Sequence, residues 1–218
     1  MPYSAAIFDL DGTLLDTLGD LHAAVNHALG SCGLPTRSAA DVRAFTGDGL
    51  RKLAWRSAGE GVDEGRREAV YQELASYYAG HCQELTRPYP GVPEVVDELC
   101  GAGVRCGVVS NKVDSAVREL VERFFPGQFD FVVGEREAEG IRKKPAPDTV
   151  EACLTAFGVA AADAVYVGDS EVDVETARNA GCDCIIVTWG FRDERFLREH
   201  GARTLAHTAG ELAREVLA

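Results

Sequence analysis

Short apolar runs alternate with stretches of helical spacing along most of the chain. "SAAIFDL" (4–10) predicts a buried strand, and Leu18, Leu21, Val25, Ala28 and Leu29 then fall on one helical face between Thr17 and Cys32. "VRCGVVS" (104–110) is apolar and β-branched, and Val113, Ala116, Val117, Leu120, Val121 and Phe124 follow at helical spacing. "FDFVVG" (129–134) predicts another strand. "PAPDTVEACLTAFG" (145–158) predicts a helix with proline in its first turn and glycine at its end. "AVYVGD" (164–169) leads into a helix through Val174, Ala177 and Ala180, and "CIIVTWG" (184–190) is one more strand. From about residue 90 onward this alternation is that of a parallel sheet covered on both faces, a Rossmann-like three-layer α/β core. Residues 16–86 carry helical patterns without a strand run. They are expected to form a helical insert after the first strand, with 1–15 and 87–218 making the core and Pro88 and Pro90 marking the return to the sheet.

The totals narrow the function classes. At 218 residues and 46% hydrophobic, the chain can bury a full core. Lys+Arg 22 against Asp+Glu 35 leaves a net charge of -13, which disfavours nucleic acid and anionic membranes as partners. "MPYSAAIFDLDG" has no basic flank and meets aspartates before an apolar leader core could form, and no apolar run approaches the roughly 18 residues of a membrane span, so a cytoplasmic protein is expected. Seven cysteines without CxxC spacing fit reduced thiols. Cys182 and Cys184 would share one side of a strand, with core filling expected and metal binding the alternative.

The chemistry gathers at strand ends. Asp9 and Asp11 follow the first strand; Ser110, Asn111 and Lys112 follow the second; Asp169, Ser170 and Asp173 follow "AVYVG"; Lys144 precedes a helix. Ligands of open parallel sheets collect beyond these carboxyl ends. One such aspartate alone reads equally as a helix cap. Several in one crevice repel each other unless a cation is present, and an all-oxygen set suits magnesium with a substrate phosphate. Backbone N–H groups around Gly12 and Thr13, the Ser110 hydroxyl, Asn111 with the helix start after it, and Lys144 are candidate phosphate ligands.

"DLDGT" (9–13), "VVSN" (108–111), "KPAP" (144–147) and "GDSEVD" (168–173) together resemble, in order and spacing, the four motifs of the haloacid dehalogenase superfamily. The resemblance implies that Asp9 is a nucleophile that becomes an aspartyl phosphate and Asp11 the general acid and base. It implies that Ser110 and Lys144 hold the phosphoryl group. Magnesium would be bound by Asp9, the Asp11 carbonyl and Asp169, with Asp173 in the inner or outer shell, and the helical insert would be the family's cap. The family's dehalogenases lack the second aspartate, so Asp11 favours phosphoryl chemistry. A mutase of the β-phosphoglucomutase type would be expected to carry histidine where Leu21 stands.

"TGDGL" (46–50) with Arg51 and Lys52 is similar to the glycine-containing cap loop of phosphoglycolate phosphatases. Gly47 and Gly49 would permit close backbone approach, and Arg51 would meet a substrate anion or, equally, simply begin a solvated helix. The expected activity is a magnesium-dependent phosphatase of a small phosphorylated metabolite, phosphoglycolate first. Pyrophosphate, a sugar phosphate or a nucleotide are the rival substrates, and a binding protein without turnover is the rival class.

Overall fold

The computed structural model describes residues 2–218. The chain enters through β1 (Ala5–Phe8), leaves through β2 (Leu15–Asp16), and runs through α1 (Leu18–Ser31), α2 (Ala39–Phe45), α3 (Leu50–Ala58) and α4 (Glu64–His81). It returns by β3 (Arg87–Pro88), which pairs with β2 in a two-stranded ribbon at the crossing. There follow α5 (Val92–Gly101), β4 (Arg105–Val113), α6 (Asp114–Phe124), β5 (Phe131–Glu135), α7 (Asp148–Phe157), β6 (Ala164–Gly168), α8 (Glu171–Ala180), β7 (Asp183–Val187), α9 (Glu194–Glu199), β8 (Thr204–Ala206) and α10 (Ala209–Leu217). Two compact units result, 1–15 with 88–218 and 16–87.

In the first unit six strands form a parallel sheet in the order β5-β4-β1-β6-β7-β8. Alternation along the strands explains its two-sided core. Ala6, Phe8, Cys106, Val108, Val165 and Val167 bury one face against α5, α6 and α10; Ala5, Ile7, Val109 and Tyr166 bury the other against α7 and α8. The chain builds first to one side of β1 and then to the other, so β1, flanked by β4 and β6, is the switch point where such sheets open a crevice. This is the expected three-layer α/β core.

Several elements differ from expectation. β4 runs three residues beyond Ser110, so α6 starts at Asp114, and Val113 is exposed on the strand rather than buried on the helix. Pro147 stands at the cap of α7 rather than within it, where its missing N–H costs nothing. Cys182 lies one residue before β7, and it packs with Cys184 against the cluster on the α7–α8 side of the sheet, as the core filling expected. All seven cysteines are free thiols, and burial pushes the Cys182 thiol up to about 11. Residues 191–218 add α9, β8 and α10 beyond the expected elements; β8, three residues long, offers little alternation to read.

The second unit is a four-helix cluster around Leu21, Val25, Leu29, Val42, Leu53, Val70, Leu74 and Tyr78. Ser38 and Asp63 cap α2 and α4 with their side chains. Asp20, buried in α1, accepts the N–H groups of Leu85 and Thr86 (both 2.9 Å) and the Thr86 hydroxyl (2.7 Å), tying the unit's first helix to its last segment.

Candidate active site

The loop after β1 delivers Asp9 and Asp11 because β1 ends one residue earlier and Gly12, at φ 85°, turns the chain. The space at Gly12 is also filled: an added Cβ would lie 2.4 Å from Asp169 Oδ2. Gly190 shields the same carboxylate, its would-be Cβ falling 2.3 Å from Asp169 Cβ. β6 ends at Gly168, and Asp169 follows, held by the Phe191 N–H (2.6 Å) and more loosely by the Thr13 hydroxyl (3.4 Å).

Side-chain oxygens of Asp9, Asp169 and Asp173 lie within 4.8 Å of one another, all three residues buried. The Lys144 ammonium stands among them, 2.9 Å from Asp9 Oδ1, 2.8 Å from Asp173 Oδ1 and 3.0 Å from the Tyr166 hydroxyl. Burial, with the Asp173 and Asp11 charges adding and Lys144 opposing, pushes the Asp9 carboxyl up to about 7. Burial and the same crowding hold Asp169 well above the carboxylate range. For Lys144 burial works against the charge, yet Asp173 and Asp9 outweigh it and the pKa lies well above that of a free lysine. For both acids burial is the larger cause, and the neighbouring carboxylates add to it.

Asp173 faces its neighbours with both oxygens. Oδ1 meets Lys144 and Tyr166; Oδ2 accepts the Asp169 and Ser170 N–H groups (both 3.1 Å) and the Ser170 hydroxyl (2.7 Å). Asn111 grips the backbone of Lys144, accepting its N–H at Oδ1 (2.8 Å) and donating to its carbonyl (3.1 Å). This side-chain contact positions Lys144. The amides of Gly12 and Thr13, expected to meet phosphate, donate to the carbonyls of Leu15 (2.9 Å) and Leu10 (3.4 Å) within the loop. The buried Ser110 hydroxyl oxygen accepts the Lys112 N–H (3.2 Å). Lys143, the residue before Lys144, pairs with Glu137 (2.9 Å) instead of entering the cluster.

Tyr166 behind Lys144 and the Phe191 N–H on Asp169 escaped the sequence reading, and so did the contact that Lys112 makes, its ammonium 2.6 Å from Asp11 Oδ1. Alternation along β6 could have shown that Tyr166 faces the side of α7. The other two depend on loop shape and left no signal.

In the helical unit the loop of Gly47 (φ 123°) and Gly49 (φ 88°) is fastened by Asp48, which pairs with Lys52 (3.3 Å) and Arg56 on α3. Arg51 pairs with Glu68 and lies over the Tyr71 ring, 4.1 Å from its centre.

Residues 6–187 match the family model of the haloacid dehalogenase-like hydrolases, and the chain belongs to that family. Within it the chain is a phosphatase, similar to the phosphoglycolate phosphatase of Pseudomonas syringae pv. tomato (34% identical over 88% of this chain and 72% of that protein) and to that of Cereibacter sphaeroides (33%, over 97% and 98%). A solved structure from Lactobacillus delbrueckii subsp. bulgaricus, given a provisional phosphoglycolate phosphatase assignment, superposes with a TM-score of 0.96 at 40% identity over the full length of both chains.

Proposed function

We propose that the chain hydrolyses a small phosphate monoester, phosphoglycolate first among candidates, with magnesium at the acid cluster and a transient phosphoryl group on Asp9. The observation that carries the reading is the convergence of Asp9, Asp169 and Asp173 around Lys144 at the sheet's switch point. The substrate preference rests on the phosphoglycolate phosphatases among its relatives.

The cluster suits a hard divalent cation: its donors are all oxygens, and burial keeps the Asp9 and Asp169 carboxyls raised even though Lys144 pairs with Asp9. Asp9, Asp169 and the Asp11 carbonyl would hold the ion. Both oxygens of Asp173 are taken by protein donors, so its part is to fix Lys144 and the loop of Asp169 from behind. Bound magnesium would offset repulsion between the carboxylates and a phosphate dianion.

The side chains supply the rest. Asp9 attacks phosphorus, and the P–O bond to the leaving alcohol breaks as Asp11 gives that oxygen a proton. Water then attacks the phosphoaspartate, and Asp11, now ionised, takes the water proton. Lys144 counters charge on the non-bridging oxygens, with Ser110 as a further hydrogen-bond partner. The helical unit serves as a cap, and Gly47, Gly49 and Arg51 belong to its substrate-reading loop.

A panel of phosphate esters assayed with magnesium tests this reading. Phosphoglycolate should give the highest kcat/KM, and excess chelator should remove the activity, with magnesium restoring it. Equal rates across phosphoglycolate, pyrophosphate, sugar phosphates and nucleotides would remove the substrate assignment, and activity indifferent to chelation would remove the metal.

A further inference from the structure

β4 does not stop where its neighbour's register would end it. Val109 pairs with Val133 and Val113 with Glu135, so four steps on β4 are matched by two on β5. The extra residues bulge, and the bulge is braced. Asp114 Oδ1 accepts the Gly134 N–H (2.8 Å), and Gly134 has no room for a side chain, an added Cβ falling 2.5 Å from the Lys112 carbonyl and from Asp114 Cα. Ser110 holds the Lys112 N–H. The outcome is a lysine side chain only 4% exposed that reaches across 101 residues of sequence to Asp11 Oδ1 at 2.6 Å.

Burying a lysine costs more in desolvation than one ion pair reliably returns, so stability is a weak reason for this arrangement. The two buried lysines divide the acids between them. Lys144 meets Asp9 and Asp173, whereas Lys112 meets the aspartate that exchanges protons.

We infer that Lys112 is a positioning residue that fixes Asp11 through Oδ1, leaving Oδ2 to carry the proton given to the leaving group and later taken from water. The inference rests on the reading of Asp11 as general acid and base. Proton transfer from a positioned side chain contributes about 10²–10⁴-fold, and only when the leaving oxygen needs the proton. An alkoxide needs it; a nitrophenolate hardly does.

The test compares kcat/KM, which reports steps through phosphoryl transfer, for phosphoglycolate and p-nitrophenyl phosphate in Lys112→Met, Lys112→Arg and Asp11→Asn. Lys112→Met should lose roughly 10–100-fold on phosphoglycolate but less than about threefold on the nitrophenyl ester, as the proton-transfer contribution requires. Lys112→Arg, which can still bond a carboxylate, should recover part of that selective loss. Asp11→Asn should show the same split, more strongly. A split in Asp11→Asn with an equal loss on both esters in Lys112→Met overturns the inference alone. The absence of a split in Asp11→Asn overturns the acid–base reading beneath it. If Lys112→Met does not fold, Lys112→Gln carries the comparison; failure of both to fold makes the lysine a structural support and also overturns the inference.

Discussion

Asp9→Asn is expected to abolish turnover, by at least about 10⁴-fold in kcat, while leaving the fold intact. The amide is nearly the same size and cannot form the phosphoryl ester. Structural damage is not expected either. Asp9 sits among acids whose crowding and burial already push its carboxyl up to about 7, so removing its charge relieves repulsion with Asp173, and Lys144 keeps Asp173 as a partner. The melting temperature in chelator should therefore be unchanged or slightly higher. Phosphate-release assays beside thermal melts check both halves; a variant with substantial residual turnover would remove Asp9 from the nucleophile's role.

Lys144→Met is expected to damage fold and activity together. Its side chain is 2% exposed and its ammonium bridges Asp9 Oδ1 and Asp173 Oδ1, the latter carboxylate being completely buried. Methionine fills much of the space but leaves Asp173 without its cation, and breaking a buried pair in this way costs about 3–5 kcal/mol. At roughly 2–4 °C per kcal/mol for a chain of this size, the melting temperature should drop by about 10 °C. Loss of the charge facing the transferring phosphoryl group should lower kcat by about 10³-fold. A melting temperature within about 2 °C of the parent would show that the Asp173 contact does not bear the load assigned to it.

The contrast between Lys144 and Lys112 shows what the sequence can carry. Lys144 was legible because it stands in "KPAP" next to a predicted helix, and motifs at successive strand ends must meet on one edge of a parallel sheet. Asp9, Asp11, Ser110 and Asp169 were legible for the same reason, and so was the all-helical character of 16–86, which lacks any run of alternating apolar residues. Lys112 was visible as a residue after a strand, but its contact with Asp11 depends on a bulge opposite Gly134 that no local pattern announces. The hold of the Asn111 side chain on the backbone of Lys144 was not legible either, because the loop brought alongside it sets that contact. Val113 fitted the apolar spacing of a helix; the same bulge kept it in the strand. The misread positions thus cluster where tertiary contacts override local periodicity.

The most direct measurement is acid quenching during turnover of a substrate carrying a labelled phosphoryl group, followed by peptide mapping. The label is predicted to appear transiently on the peptide containing Asp9, to be released by hydroxylamine as an acyl phosphate is, and to be absent from Asp9→Asn. Active enzyme that never carries the label, or carries it on another side chain, would contradict the account.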